Sequence, residues 1–154
     1  MKKYFINRKA KYNFYIKKTI VSGISLKGWE VKSIRAGKVQ ITESYVVIKK
    51  NEAYLFGVFF QPLITTSDVF LCNPSRIRKL LLKKKEINNL NIYTQKKGYT
   101  LIPIKLFWLK SWCKIQIGVV KGKSLRDKRL DKKNDSWKKE KNTIFKRLSL
   151  KKIN

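Results

Sequence analysis

Residues 99–120 read YTLIPIKLFWLKSWCKIQIGVV, and this stretch predicts a β-hairpin. Two runs rich in β-branched and aromatic residues, 99–109 and 112–120, flank the short polar connection Lys110-Ser111. In the second run every other residue from Cys113 to Val119 is apolar, while the residues between them are mostly polar or small. Alternation of this kind places one face of a strand against a core and leaves the other partly solvated. The fold is therefore expected to be built on strands.

Similar strand-forming segments occur earlier in the chain. Residues 45–48 and 54–60 flank a polar stretch and predict a further hairpin. Residues 12–16 and 19–26 predict one long bent strand or two, with Gly23 at a bulge or a position of close approach. Because closure removes exposed strand edges, a series of short strands favours a small closed barrel. We predict a mainly β fold of this kind, with two or three short helices.

Two helices are expected between the strands. The first, over residues 29–36, ends at Gly37, which can adopt the left-handed conformation that closes a helix. The second opens at Asn73-Pro74-Ser75, because Asn is a favourable N-cap and Pro suits the first helical position. We expect this helix to continue to about residue 90. Its buried stripe would consist of Ile77, Leu80, Leu81, Ile87 and Leu90.

The chain is very basic. Its 154 residues carry 38 Lys and Arg against 9 Asp and Glu, a formal net charge of +29, yet 43% of the residues are hydrophobic. That composition is globular rather than disordered. A polyanion is the partner that best relieves the self-repulsion of such a charge. Nucleic acid is therefore the leading candidate partner, ahead of an acidic membrane surface.

What the sequence lacks excludes several functional classes. The absence of His removes the usual general base and the commonest metal ligand. The two cysteines, Cys72 and Cys113, are too few for a structural zinc site in a monomer and form no secretory disulfide framework. No acid–base pair and no phosphate-binding glycine loop stands out. We expect a monomer that is not an enzyme and that binds no metal or cofactor.

The sequence shows no pattern typical of a signal peptide or a membrane span. The basic start of the chain has no apolar run long enough for the core of a signal peptide. The most apolar stretch, 101–109, contains Pro103 and Lys105 and falls far short of the ~20 residues of a membrane span. We expect a cytoplasmic protein with no membrane partner.

The composition changes near residue 121. Residues 121–154 carry a net charge of +10 with sparse apolar residues, whereas residues 1–120 carry +19 and contain the strand-forming segments. We expect an RNA-binding β-barrel domain over 1–120 and a basic tail over 121–154 that is disordered when free.

The tail nevertheless has a pattern. On a helix from about 131 to 150, Trp137, Ile144 and Leu148 fall near one face, so the tail predicts an amphipathic basic helix that folds on a partner. Such a helix can lie in an RNA-lined groove with its cations towards phosphates and Trp137 available to stack. A membrane surface is the competing partner for a helix of this type.

Two basic motifs have both a functional and a structural interpretation. GWEVKSIRAGK, residues 28–38, places Glu30, Lys32 and Arg35 on the first helix, where cations one turn apart can grip neighbouring phosphates. RIRKLLLKKK, residues 76–85, carries a similar run of cations. Each motif is equally compatible with a solvated helix face that forms ordinary salt bridges.

Taken together, the motifs resemble the SmpB family, the SsrA-binding proteins that are bacterial partners of transfer-messenger RNA (tmRNA). The resemblance covers nearly the whole chain with almost no gaps. It rests on NRKA (7–10), GWEVKSIRAGK (28–38), ESYV (43–46), LFG (55–57), NPSRIRKLLL (73–82), KKGYTLIPIKLFW (96–108), WCKIQIGVVKGK (112–123) and DKR (127–129).

The resemblance implies an oligonucleotide-binding (OB) type β-barrel and a function without catalysis. In this family the barrel binds the tRNA-like domain of tmRNA at its elbow, and the complex enters ribosomes stalled on messages without a usable stop codon. EF-Tu takes part indirectly, through the alanylated tmRNA. The tail occupies the empty message channel beyond the decoding centre of the small subunit and becomes helical there. Translation then changes template, adds a degradation tag and releases the ribosome.

Matched position by position, the resemblance implies two groups of functional residues. RNA binding is assigned to Asn7, Arg8, Lys9, Glu30, Lys32, Arg35, Lys38, Arg76, Arg78 and Leu81. Ribosome contacts of the tail are assigned to Lys121, Lys123, Arg126, Lys128, Arg129, Trp137, Ile144 and Phe145, of which the last three serve tag delivery rather than RNA affinity. Val21 departs from the family, since it stands where a Glu usually contacts the RNA. Arg126 replaces the aromatic residue or His that is common there.

Two other hypotheses remain open. A general basic barrel that binds ribosomal or single-stranded RNA without a rescue role would show no preference for a tRNA-like elbow. A peripheral membrane protein that uses its tail would bind liposomes, and that binding would disappear without residues 121–154.

Overall fold

The computed structural model describes residues 4–64 and 72–151, with side chains described as far as residue 145. Within those residues the fold is mainly β, as predicted, with nine strands and four helices. The strands are β1 (Tyr4–Ile6), β2 (Phe14–Ile24), β3 (Val39–Gln40), β4 (Tyr45–Lys49), β5 (Glu52–Phe56), β6 (Phe59–Phe60), β7 (Arg78–Leu81), β8 (Tyr99–Leu109) and β9 (Trp112–Gly122). The helices are α1 (Arg8–Asn13), α2 (Gly28–Arg35), α3 (Lys84–Thr94) and α4 (Leu125–Lys151).

Seven of the strands form one antiparallel sheet. Their order is β1-β8-β4-β5-β7-β2-β9, and β9 pairs back with β8. The pairing therefore runs from β8 through β4, β5, β7, β2 and β9 and returns to β8, with β1 attached to β8 outside this circuit. Strands β3 and β6 form a separate two-stranded sheet.

The core lies on one side of this sheet. Ile115, Ile117 and Val119 of β9 are buried in it, as their alternation predicted. The residues that alternate with these along β9 face the other side of the sheet, because successive side chains of a strand point to opposite faces. A smaller cluster on that other side joins Val120 to Ala10 of α1. Helix α1 thus covers one part of the outer side of the sheet and leaves the remainder accessible.

Both predicted hairpins are confirmed. Strands β8 and β9 pair along their whole length around Lys110, which has a φ of 54°. Strands β4 and β5 pair around Lys50 and Asn51, with φ values of 50° and 58°. Two consecutive residues of positive φ form the turn whose twist suits a two-residue hairpin.

Strand β2 is one long strand with an irregularity. Its register against β9 shifts between Ile16 and Lys18, so Lys17 is the additional residue of a bulge. Gly23, the other candidate for a bulge, is instead a position of close approach: a β-carbon built on it would lie 3.3 Å from the side chain of Leu81.

The helix predicted over residues 73–90 is wrong. Asn73 caps a turn, in which its side-chain oxygen accepts the Ser75 N–H at 3.0 Å, and the chain then enters strand β7. A shorter helix, α3, follows from Lys84, where the Glu86 carboxylate accepts the Lys83 N–H at 2.8 Å. The local signals for a helix were present, but β7 obtains its backbone partners from β5 and β2, which are remote in sequence.

The predicted buried stripe of that helix is correspondingly only half correct. Leu80, Ile87 and Leu90 are buried, whereas Ile77 and Leu81 are exposed. The helix predicted over 29–36 is confirmed as α2, and Gly37 after it has a φ of 77°.

The chain separates into two compact units, one ending at Gly122 and the other beginning at Lys123. Strand β9 continues through Lys121, which therefore belongs to the sheet rather than to the tail. The second unit contains α4, a single helix of 27 residues. None of the described helices is both long enough and apolar enough to cross a membrane. We refer to the first unit as the body and to the second as the tail.

Candidate nucleic-acid interface

The accessible side of the main sheet carries two rows of side chains. Their neighbours along each strand, such as Leu80, Ile115 and Leu106, are buried in the core, so the rows face outwards. By strand register, the first row contains Leu81, Gly23, Lys114, Phe107 and Tyr4, and the second contains Val21, Gln116, Lys105 and Ile6. We call these nine residues the outer sheet face.

The end of the outer sheet face formed by β7 and β2 is apolar. Leu81 is 58% exposed and Val21 is 48% exposed. A side chain at position 23 would press against Leu81, so glycine there lets the leucine lie across β2. An exposed leucine held against a neighbouring strand offers a rigid apolar contact for a base or ribose.

Cations lie beyond this apolar end, on β9 and β8. The Lys105 Nζ lies 4.9 Å from the centre of the Tyr4 ring and 5.3 Å from that of Phe107, distances at which an ammonium group is attracted to an aromatic face. Lys79, also next to Leu81 in β7, forms an ion pair with Glu52. That hydrogen bond from Lys79 to the carboxylate raises the pKa of the lysine. Lys105 and Lys114 are therefore the cations of this face that are left for a polyanion.

A buried charge network joins α2 to β7. Both Glu30 and Arg78 have fully buried side chains, and the Arg78 Nε donates to a Glu30 carboxylate oxygen at 2.8 Å. Arg76 donates to both oxygens of the same carboxylate, at 2.9 and 2.6 Å. The second oxygen also accepts the Lys27 N–H at 2.7 Å, which caps the start of α2. Burial opposes ionisation of Glu30, but the hydrogen bonds from Arg76, Lys27 and Arg78 outweigh it and hold the pKa of the carboxyl below its ordinary value.

This network lies inside the protein and contains two of the residues assigned to RNA binding, Glu30 and Arg78. Arg78 donates its remaining bonds to the backbone oxygens of Val58, Arg76 and Pro74, at 2.7, 2.7 and 2.8 Å, and its guanidinium lies 4.2 Å from the centre of the Phe60 ring. With its donors occupied inside the protein, Arg78 has no exposed group to offer a phosphate. The Glu30 carboxylate is also buried and accepts hydrogen bonds from Arg76, Arg78 and the Lys27 N–H. Arg76 keeps only 22% of its side chain exposed.

Asn7 is the third assigned contact that lies inside the body. Its side-chain oxygen accepts the Ala10 N–H at 3.2 Å and so caps α1, while its amide nitrogen donates to Pro103 O at 3.1 Å and to Thr42 O at 3.3 Å. Such a buried side chain positions its neighbours rather than touching a partner. Arg8 and Lys9, which follow it, are exposed, and Lys9 forms a surface ion pair with Glu43 at 3.3 Å.

The cations of the α2 motif are accessible. Lys32, Arg35 and Lys38 are all exposed, on the helix or just after it. The Arg35 guanidinium lies 5.8 Å from the centre of the Trp108 ring. The buried network holds α2, while these three side chains remain available to phosphates.

In the tail, the N-terminus of α4 is capped. The Ser124 Oγ accepts the Asp127 N–H at 3.2 Å, and the Asp127 carboxylate accepts the Ser124 N–H at 3.1 Å. The side-chain bond from Ser124 is the main reason that the pKa of Asp127 is below its ordinary value. Lys123 pairs with Asp131 at 2.6 Å and keeps 10% of its side chain exposed.

Most of the other assigned tail residues are accessible. Arg126 and Arg129 are exposed and Lys128 is half-buried. Trp137, Ile144 and Phe145 are 60%, 55% and 67% exposed, and large apolar side chains exposed together are typical of a surface that binds a partner.

The cysteines are not arranged for chemistry. Burial raises the pKa of the Cys113 thiol to about 12, so it stays protonated near neutral pH and unreactive. Cys113 packs against the core, on the side that its place in β9 predicted. Among the described residues, no group of three or more His, Cys, Asp or Glu side chains could hold a metal ion.

Comparison with known proteins decides the family. The profile of the SmpB family, described as "SmpB protein", matches residues 4–147. This chain belongs to the SmpB family. The SsrA-binding proteins of Buchnera aphidicola subsp. Acyrthosiphon pisum, strains Tuc7 and APS, are each 48% identical to it over 145 residues, covering 94% of this chain and 90% of theirs.

A solved SmpB-family structure agrees in fold. It is described as "tmRNA-SmpB: a journey to the center of the bacterial ribosome", and its matching chain has a TM-score of 0.68 and 37% identity. The match covers 80% of this chain and 87% of that one.

Two of the SmpB-family motifs contact each other in the structure. GWEVKSIRAGK and NPSRIRKLLL meet through Glu30, Arg76 and Arg78, which hold α2 against β7.

Lys105 and Lys114 of the outer sheet face were not among the residues predicted to bind RNA. The alternation of β8 and β9 could have placed them there, but only the register shows that they share rows with Val21 and Leu81.

Proposed function

We propose that this chain is an SsrA-binding protein of trans-translation. Its body binds the tRNA-like domain of tmRNA, and its tail enters the empty message channel of the stalled ribosome. The observation that carries the proposal is 48% identity over 94% of the chain to proteins named SsrA-binding protein. The likeness to a chain from a tmRNA–SmpB ribosome structure supports the same assignment.

The body is proposed to be an OB-type closed barrel. The circuit of strand pairing that returns to β8 supports closure, since it leaves β1 as the only strand of the seven outside the circuit. One face of such barrels commonly binds oligonucleotides. The outer sheet face, with its apolar end and its two available cations, has the chemistry for that task.

The RNA contacts of the body are assigned accordingly. Leu81 and Val21 would contact the RNA through apolar surface, while exposed or half-buried cations of the body supply phosphate contacts. The cations are Arg8, Lys9, Lys32, Arg35, Lys38, Lys105 and Lys114. Asn7, Glu30 and Arg78 act as positioning residues, because their side chains hold α1, α2 and β7 in place.

The tail is assigned to the ribosome. We expect helix α4 to be stable in the message channel and to lose order in the free protein, since its large apolar side chains are exposed and its charge is strongly positive. Lys123, Arg126, Lys128 and Arg129 would face ribosomal RNA, with Lys121 at the end of β9. EF-Tu would join through the alanylated tmRNA, and the protein would act in the cytoplasm as a monomer without catalysis.

The first experiment measures competition between the tRNA-like domain of tmRNA and an unrelated RNA hairpin of equal length, at about physiological ionic strength. A preference of about 100-fold or more, which is ~2.7 kcal/mol, is expected. No preference would mean that the charge of +29 alone drives binding, as in a general RNA-binding barrel.

A matched pair of variants tests the face itself. Leu81→Asp places a negative charge at the apolar end of the outer sheet face and should reduce the preference at least tenfold. Ile92→Asp introduces the same charge at an apolar side chain of similar exposure, 55%, on α3. Equal losses in the two variants would reject the outer sheet face as the binding surface.

A further inference from the structure

Four side chains from separate segments of the body meet near the start of β8. The Lys17 Nζ lies 5.8 Å from the centre of the Tyr93 ring and 5.3 Å from that of Tyr99, and it donates a hydrogen bond to the Tyr99 hydroxyl at 3.5 Å. The Lys96 Nζ lies 5.6 Å from the centre of the Tyr93 ring. The two rings are themselves in contact, with centres 6.4 Å apart. We call these four residues the lysine–tyrosine cluster.

The cluster is fixed at its base and accessible at its top. Both tyrosine rings are half-buried and pack against the main core, which limits their rotation. Both lysines are exposed. Lys17 is the additional residue of the bulge in β2, and a bulge redirects the side chain that it carries. The strand irregularity therefore places an ammonium group over two aromatic rings.

No described carboxylate of the body neutralises these lysines. The four carboxylates are committed elsewhere: Glu30 to Arg76 and Arg78, Glu43 to Lys9, Glu52 to Lys79, and Glu86 to the Lys83 N–H. An ammonium group at an aromatic face gains only about 0.5–1 kcal/mol at an exposed site. Two positive charges thus lie beside the same tyrosine ring without a counter-charge among the described residues of the body.

We propose that the lysine–tyrosine cluster is a second RNA-binding site, which takes a single-stranded nucleotide. Lys17 and Lys96 would bind its phosphate, and its base would stack on the exposed part of a tyrosine ring. Aromatic rings beside cations are the usual means of binding single strands without sequence preference. None of the four residues belongs to the outer sheet face, so the site can act together with that face.

The test uses the intact protein and a 12-residue oligouridylate as the probe. Binding is followed by fluorescence anisotropy over a series of salt concentrations. The double variant Lys17→Gln/Lys96→Gln should bind about tenfold more weakly and show a shallower dependence of affinity on salt, by about 0.7 in the logarithmic slope for one phosphate lost. Tyr93→Leu should weaken binding by a similar factor, since stacking is worth about 1–3 kcal/mol per base. Tyr93→Phe should bind as the unaltered protein does, because it keeps the ring.

The matched control is Lys49→Gln/Lys85→Gln. It removes the same charge from two exposed lysines, one at the end of β4 and one on α3. Photocrosslinking with 5-iodouridine in the probe then locates the contact, and the crosslinks should map to Tyr93 or Tyr99. Equal weakening by the control pair, or crosslinks that map only to Tyr4 or Phe107 of the outer sheet face, would overturn the proposal. Each variant is first shown to melt cooperatively.

The two proposals can fail separately. Leu81→Asp should lower the preference for the tRNA-like domain while leaving the crosslinks at Tyr93 or Tyr99 unchanged. Loss of those crosslinks in Leu81→Asp would show that the two surfaces form one binding site, and the proposal of a second site would be rejected.

Discussion

The body and the tail are both strongly basic, but they treat their charges differently. In the body, Glu30 accepts hydrogen bonds from two arginines in a fully buried network. In the tail, the described acidic side chains lie near the surface, and Asp131 pairs with Lys123 while 40% exposed. A buried ion pair must remain complete, whereas a surface pair contributes about 0–1 kcal/mol. The number of cations therefore says little about function until their burial is known.

The apolar residues show the same contrast. Those of the body fill a continuous core, while Trp137, Ile144 and Phe145 of the tail are more than half exposed. Substitutions of the buried apolar residues of the body should act on folding, and substitutions of the exposed apolar residues of the tail should act on what the tail binds. The predictions below measure how sharp this division is.

Glu30→Gln should have the largest effect on stability. It leaves the Arg78 guanidinium buried without a counter-charge, which typically costs about 3–5 kcal/mol. Urea unfolding of the variant and of Glu43→Gln, which breaks an exposed pair worth at most about 1 kcal/mol, measures the difference. A folded Glu30→Gln protein of unchanged stability that has lost RNA affinity would instead make Glu30 a contact.

The contribution of the Glu30 network to stability should depend on pH. Because the pKa of Glu30 is lowered in the folded protein, its contribution to stability is present above the ordinary value of 4.5 and is lost as the pH falls through the folded pKa. The difference in unfolding free energy between the unaltered protein and Glu30→Gln should therefore shrink below pH 4.5. A difference that stays constant there would show that the pair does not stabilise through its charge.

Gly57→Ala comes next, at about 1–3 kcal/mol. Gly57 has a φ of 71°, and a β-carbon there would lie 2.8 Å from the Glu43 backbone oxygen, which cannot easily move. Gly28→Ala is the control, because its β-carbon would meet nothing within 4 Å and the residue lies in α2. The melting temperature of Gly57→Ala should be lower than that of the unaltered protein. The melting temperature of Gly28→Ala should be equal to it or slightly higher.

Ser124→Ala should have a smaller and local effect. Loss of the cap weakens the start of α4 by about 0.5–2 kcal/mol. In the ribosome-bound protein, where α4 is expected to be helical, hydrogen exchange should become faster at the first amides of α4, while the amides of β8 and β9 exchange as before. Faster exchange throughout the body would contradict the separation into two units.

Substitution of Trp137, Ile144 or Phe145 by Ala should change the stability of the body least, by less than about 0.5 kcal/mol. Affinity for the tRNA-like domain should also be retained, whereas tagging on a message without a stop codon should fall severely in a reconstituted translation system. Equal loss of RNA binding and tagging would remove the division of labour between body and tail.

Local patterns accounted for part of the fold. The two hairpins and α2 follow from alternation, turn residues and a closing glycine, all of which act within a few residues. The same patterns placed Cys113 on the core side of β9. For the site, the motif GWEVKSIRAGK predicted the cations Lys32, Arg35 and Lys38, which are exposed on or just after α2, and their role in RNA binding stays a prediction.

The sequence by itself determined the strand-rich body, the basic tail, and membership of the SmpB family through its motifs. Only the tertiary structure decided that residues 78–81 form a strand, since their hydrogen bonds come from β5 and β2. It also places the side chains of Asn7, Glu30 and Arg78 inside the body, where Arg78 meets a carboxylate partner 48 residues away. Periodicity and caps are short-range signals, whereas the burial of a charge depends on partners that only the folded chain brings together.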